Sequence, residues 1–201
     1  MTKPQPTDTP AEQPQAQKPR KPFFLPFFAS IHAQGFLQLS EEGATLTVGD
    51  KTVALLVSAG RRQAFEMAPP AADQLLQVEL WPRTDGGRVS LLELGKYKPI
   101  SSEAPKLGFH FIAAGRLISV DSEEGYLEVN IEPNDKGVMQ EAFALQVWAS
   151  LDALKTLPRK SKTFRLEGEY RPQSQRLVMK NAKMCAVGKV SRAVSATAPE
   201  S

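Results

Sequence analysis

Along most of this chain apolar residues alternate one for one with polar ones, and turn residues interrupt the alternation roughly every 8–12 positions. A helix buries a stripe with a period near 3.6, whereas a strand buries every second side chain. The pattern restricts the chain to β-structure, and it occurs twice. From Ala33 the sequence reads AQGFLQLSEEGATLTV, and from Ala113 it reads AAGRLISVDSEEGYLEV. Gly115 answers Gly35, Leu117 answers Leu37, and Glu123-Glu124-Gly125 answers Glu41-Glu42-Gly43, with Leu127 and Val129 set against Leu46 and Val48. Two extra residues before the second turn break the offset, as in a diverged duplication.

The correspondence continues past these hairpins. Val53, Leu55 and Val57 alternate in the first half, and Phe143, Leu145 and Val147 in the second. A connector without strand character follows in each. In SLDALKTLP, Ser150 is placed to cap a short helix, Leu151, Leu154 and Leu157 form its apolar stripe, and Pro158 stops it. AFEMAPPAADQLL is a looser match, and its two prolines oppose a helix. Each half then closes with a hairpin, QLLQVELWPRTDGGRVSLLEL or KTFRLEGEYRPQSQRLVMKNA, in which Trp81 is set against Tyr170.

Three strands, a connector helix and two strands make an order that resembles the OB-fold, a small, partly open Greek-key barrel. Another small barrel would read similarly. The expected class is all-β: two tandem OB-like barrels, each with a short connector helix. Gly35 and Gly115 suit the bend that lets a long first strand serve both sides of a barrel. The domains fall at 23–98 and 109–191, joined by a linker at 99–108. Residues 1–22 are rich in Pro, Gln, Thr and Lys, with no large apolar side chain after Met1, and read as a disordered tail. Residues 192–201 read the same way.

Composition narrows the function. A chain of 201 residues with 41% hydrophobic and 23% charged residues is ordinary for a soluble protein. The single Cys185 leaves no internal disulfide and fits a reducing, cytoplasmic setting. No apolar run approaches the ~20 residues of a membrane span, so no membrane partner is expected. PFFLPFF is too short for a signal-peptide core, is interrupted by Pro26, and follows Asp8 and Glu12. Phe23, Phe24, Phe27 and Phe28 have two readings: a strand or latch packed on the first half, or a motif that docks on a larger protein assembly.

Catalytic constellations are absent from the sequence. His32 and His110 flank apolar residues and read as structural; with one cysteine they supply no zinc spacing. There is no Gly-rich phosphate loop and no nucleophile elbow. Gly60–Arg62 and Thr84–Gly87 read as turns, and the Glu41-Glu42 and Glu123-Glu124 pairs as solvated turn residues. The expectation is a protein without cofactor, metal or catalysis.

Charge is unevenly spread. From Lys155 to Arg192 eleven Lys and Arg face only Glu167 and Glu169, which leaves +9, whereas the whole chain carries +3. Such a terminal field attracts polyanions. On YLEVNI the apolar positions turn Tyr126, Glu128 and Asn130 outward; on FALQVW they turn out Gln146 and Trp148, unless Trp148 packs under the short helix. Strands two and three carry the usual binding face of an OB-fold, and exposed rings there stack unpaired bases. The expected ligand is single-stranded nucleic acid, DNA or RNA. Lys160, Lys162, Arg165, Arg171, Arg176, Lys180 and Lys183 would hold phosphates, and Tyr126, Trp148 and Tyr170 would stack bases. Arg61, Arg62, Trp81, Arg83 and Arg88 would serve more weakly in the first half. The alternative is an accessory subunit docking on a polymerase or ribosome.

Overall fold

Among the described residues, ten strands follow the expected order. The computed structural model describes residues 27–41, 43–71, 73–101, 107–133, 141–157 and 162–185. In the first half these are β1 (Phe28–Leu39), β2 (Ala44–Val48), β3 (Lys51–Leu55), helix α1 (Ala59–Met67), β4 (Leu76–Asp85) and β5 (Arg88–Pro99). In the second they are β6 (His110–Asp121), β7 (Tyr126–Ile131), β8 (Phe143–Trp148), helix α2 (Leu151–Thr156), β9 (Thr163–Arg171), a 3-10 turn (Pro172–Ser174) and β10 (Arg176–Met184). The terminal segments 1–22 and 192–201 lie outside the described residues. No helix among the described residues is long and apolar enough to cross a membrane.

Each half closes as an OB-like barrel with the same strand order. In the second, β6 pairs antiparallel with β7, β7 with β8, β10 with β9, and β9 with β6, while β8 and β10 run parallel at Val147–Leu177 and Trp148–Val178. In the first, β1 pairs with β2 and β4, β2 with β3, and β4 with β5; Leu56 makes the parallel closure, its N–H donating to Leu92 and its carbonyl accepting from Leu94. Alternation explains the interior. On β7, Leu127, Val129 and Ile131 are fully buried; on β9, Phe164, Leu166, Gly168 and Tyr170 point in while Arg165, Glu167 and Glu169 point out. Removing each Leu or Ile from water contributes about 1.5–3 kcal/mol.

The first strands change partner where their glycines stand. β1 pairs with β4 up to Gly35 and with β2 from Phe36; β6 pairs with β9 up to Arg116 and with β7 from Arg116 onward. A Cβ on Gly35 would collide with the carbonyl of Thr47. Close approach of the crossing strand is what these positions require.

The connector helices differ from expectation in detail. α2 is capped by the Ser150 hydroxyl, which accepts from the Ala153 N–H at 3.3 Å, and buries Leu154 and Leu157; Leu151 stays exposed. α1 is longer and ends before Pro69 and Pro70, so the prolines follow the helix instead of breaking it. Gly60–Arg62, read as a turn, lies inside α1, and its Phe65 ring packs on Tyr97 with centroids 5.4 Å apart.

The halves do not meet through a linker alone. Phe28–His32 of β1 pairs antiparallel with His110–Ala114 of β6, so hydrogen bonding continues from one half into the other. An unpaired strand edge is a liability, and this pairing covers two at once. The ladder pairs Ile31 with Phe111, which stand equally far ahead of Gly35 and Gly115. That is the self-complementary geometry of an isologous dimer, here within one chain. It also places the start of the Phe-rich segment: Phe27 is buried and Phe28 half-buried, with Phe28 paired to Ala114 and the Arg116 guanidinium 6.0 Å from the Phe27 ring. Phe28 thus opens the first strand, as one reading expected, but it packs along the second half, not the first, and neither ring is free to dock. Phe23 and Phe24 lie outside the described residues.

Candidate nucleic-acid interface

Tyr126 opens β7 and Trp148 closes β8, and the ladder sets them opposite each other. Since Leu127 and Val147 face the core, both rings lie on the outer surface, with centroids 5.7 Å apart and planes tilted by 48°. The Arg176 guanidinium stands 4.9 Å from the Trp148 ring centre. It is placed by the parallel β8–β10 pairing, which puts Val178 beside Trp148 and Arg176 two residues earlier on the same face. Arg176 in turn lies directly opposite Arg171. Like charges so placed repel, and neither guanidinium has a carboxylate partner among the described ion pairs.

A third cation comes from the other half. Arg88 approaches Trp148 at 5.9 Å because the β4–β5 hairpin tip docks on β8. The Gly87 carbonyl accepts from the Gln146 N–H at 2.7 Å, and the Gly86 carbonyl from Gln146 Nε2 at 3.1 Å. Gly86 and Gly87 have φ of 54° and 83°, and a Cβ on Gly87 would stand 3.0 Å from Gln146 Cγ. Gln146 faces outward, as alternation requires, yet the tip buries it, and its Oε1 has no hydrogen-bond partner in the structure. The sequence reading treated Thr84–Gly87 as an ordinary turn. Its two positive-φ glycines mark a tight tip, but nothing local says that the tip reaches the other half.

Other sequence-selected residues fall elsewhere. Tyr170 is not a stacking platform: it is buried at 4% exposure, edge-on to Phe109 at 5.9 Å, and burial pushes its phenol pKa up. Ladders from the two glycines align Tyr170 with Pro82, not Trp81; Trp81 aligns with Glu169, on the opposite face. The Trp81 indole lies over Gly95, where a Cβ would meet it at 3.0 Å. Arg83 is held by Glu93, Arg165 by Glu167 at 2.7 Å, and Lys180 reaches Glu169 at 3.5 Å, so part of the basic cluster is neutralised internally. Arg62 donates to the Ser40 carbonyl at 2.7 Å, which ties α1 to the β1–β2 turn, and Arg61 is half-buried on the same helix. Lys162 and Lys183 are exposed, and Lys160 lies outside the described residues. The structure thus gathers Tyr126, Trp148, Arg176, Arg171 and Arg88. The other described ones are dispersed.

The histidines meet at the seam. His32 lies opposite His110, with Glu79 beside His32 and Glu169 beside His110, and the Ser30 hydroxyl is 3.1 Å from His32 Nε2. Burial lowers the His32 pKa, Glu79 opposes that shift, and His110 adds to it.

No protein-family model matches this sequence, and no curated protein does either. Among solved structures it is similar to the wild-type single-stranded DNA binding protein from Thermus aquaticus, at 14% identity and a TM-score of 0.43, over 83% of this chain and 97% of that one. A deletion mutant of that protein matches at 12% identity and the same TM-score, over 83% of this chain and 98% of the other. Likeness so distant does not say what this chain binds.

Proposed function

We propose that the chain binds single-stranded nucleic acid, DNA or RNA, without catalysis, through the outer face of β7, β8 and the start of β10. The observation that carries this reading is the Tyr126–Trp148 pair bordered by three arginines, two of which, Arg171 and Arg176, face each other with no carboxylate partner among the described residues. An unpaired base stacked on such a ring contributes about 1–3 kcal/mol, and every base offers the face required. Two adjacent guanidiniums repel until an anion lies between them, and a phosphate beside a stacked base meets that need. The division into barrels at 23–98 and 109–191, related by duplication, belongs to the same proposal. Docking through Phe27 and Phe28 loses its support, because both are occupied within the fold.

Fluorescence anisotropy with labelled oligodeoxythymidylate, oligouridylate and a duplex control, each across a salt series, tests the reading. Single strands bind more tightly than duplex, and log affinity falls with log salt by about 0.7 for each phosphate neutralised. No binding of either single strand at low salt would remove it.

A further inference from the structure

The contact that docks the first half's hairpin on the second has an open counterpart. Ladder by ladder, Ala54 on β3 occupies the place of Gln146 on β8, and the β9–β10 turn corresponds to the Gly86–Gly87 tip. On the β8 side the gap is closed by the tip and by the Gln146 side chain. On the β3 side alanine supplies no such side chain, and the Pro172–Gln175 turn stands off. A groove of about 430 Å³ remains, with Thr52 and Ala54 on one wall, Leu91 on the second, and Tyr170, Pro172 and Gln173 on the third.

That groove exposes backbone. The Leu56 N–H and carbonyl both bond to β5, so along β3 every second residue turns its backbone groups toward that edge. The groups of Thr52 and Ala54 therefore face the groove, and no described strand pairs with them there. At the equivalent Gln146 the same N–H donates to a peptide carbonyl, that of Gly87. The lining carries one acid, Asp50, and one base, Lys51, among neutral polar and apolar side chains. This balance does not favour a polyanion. The groove also continues the interface between the halves, whose other contact is already peptide on strand edge.

We infer that this groove takes an extended, uncharged peptide segment of a partner protein, which adds to the free edge of β3. Its backbone carbonyl accepts from Ala54 as Gly87 does from Gln146, and the space left by Ala54 receives a side chain that Gln146 excludes on the other side. The inference is independent of nucleic-acid binding.

The test uses the full chain. A phage-displayed library of random peptides is panned on the wild type and counter-selected on Ala54→Gln, which places in the groove the side chain found at its counterpart. Selected peptides are synthesised, and amide exchange is followed by NMR. Peptides that bind the wild type roughly tenfold or more tightly than Ala54→Gln, and that slow exchange at Thr52 and Ala54, support the inference. Thr52→Pro, which removes one edge donor without touching the β2 ladder, weakens the same peptides and provides a second variant if Ala54→Gln does not fold. Oligodeoxythymidylate affinity stays the same in both variants. Three results would overturn it: no peptide that distinguishes wild type from both variants, displacement of the selected peptides by oligodeoxythymidylate, or slow exchange at Thr52 and Ala54 with no peptide present.

Discussion

The two halves have one frame and opposite surfaces. Where the second half has Trp148, the first has Leu56; Arg176 corresponds to Leu91, Tyr126 to Gly43, and Val178 to Glu93. The parallel closure fixes these equivalences independently of the hairpins, since Leu56 meets Glu93 as Trp148 meets Val178. In the second half the outer face is aromatic and cationic. In the first, Leu56 and Leu91 are exposed, at 50% and 57%, and Arg83, the counterpart of Arg171, is bound to Glu93. The buried positions share one pattern because the barrel demands it, while the outer positions carry different chemistry.

The largest expected effect tests whether the frame is equally tight in both halves. A Cβ at Gly35 would meet backbone, the Thr47 carbonyl, whereas one at Gly115 would first meet the end of the Ile131 side chain, at 2.7 Å. Backbone cannot yield as a methyl can. Gly35→Ala should destabilise by about 3 kcal/mol or more, and Gly115→Ala by less, within the ~1–3 kcal/mol usual for overpacking. Urea unfolding of both variants measures the difference; equal losses would break the asymmetry.

The next pairs ask whether function follows the surface. Trp148→Ala should cost about 1–3 kcal/mol of oligonucleotide binding with the salt dependence nearly unchanged, because stacking releases few ions. Leu56→Ala should leave binding as it was. Arg171→Ala should weaken all single strands alike and reduce the salt slope by about 0.7. Arg83→Ala should instead act on stability, by about 1–3 kcal/mol, because it leaves the buried Glu93 carboxylate without its partner. Anisotropy titrations beside urea unfolding separate these outcomes. A binding loss from Leu56→Ala as large as that from Trp148→Ala would erase the functional difference between the halves.

Much of this frame was legible in the alternation, and the errors follow the logic of a period of two. A one-residue slip reverses the face: setting Trp81 against Tyr170 made a core residue look like a binding one, and the ladder moves it to the partner of Pro82. A two-residue slip keeps the face and is invisible: Leu46 was set against Leu127, whereas the ladders align it with Val129, and the inward pattern is the same either way. Tyr126 and Trp148 were found on the outer face because the alternation around them is strict. Their arginines were chosen for charge alone, so Arg165, Arg83 and Lys180 were included although neighbouring carboxylates occupy them. The β1–β6 pairing and the hairpin on Gln146 left no local trace, because contacts between distant segments have no period.

The smallest effect belongs to the seam, where one histidine from each half meets the other. The charged groups facing His32 there are Glu79 on β4, His110 on β6 and, beyond it, Glu169 on β9. In the unfolded chain His32 titrates near the ordinary 6.5, while in the fold burial holds its pKa lower. Between those two values the unfolded chain keeps a proton that the fold has released, so stability rises with pH through that window. On acidification the contribution is lost progressively below 6.5, and the loss is complete once pH falls beneath the folded value. His32→Gln should therefore flatten the stability difference between about pH 7.5 and about pH 5. His110→Gln should narrow it, because His110 is one of the groups that lower the His32 pKa. Urea midpoints of wild type and both variants at the two pH values decide the matter. If His32→Gln retains the full pH dependence, the protons are taken up elsewhere, and the junction of the halves is no more sensitive to acid than the barrels it joins.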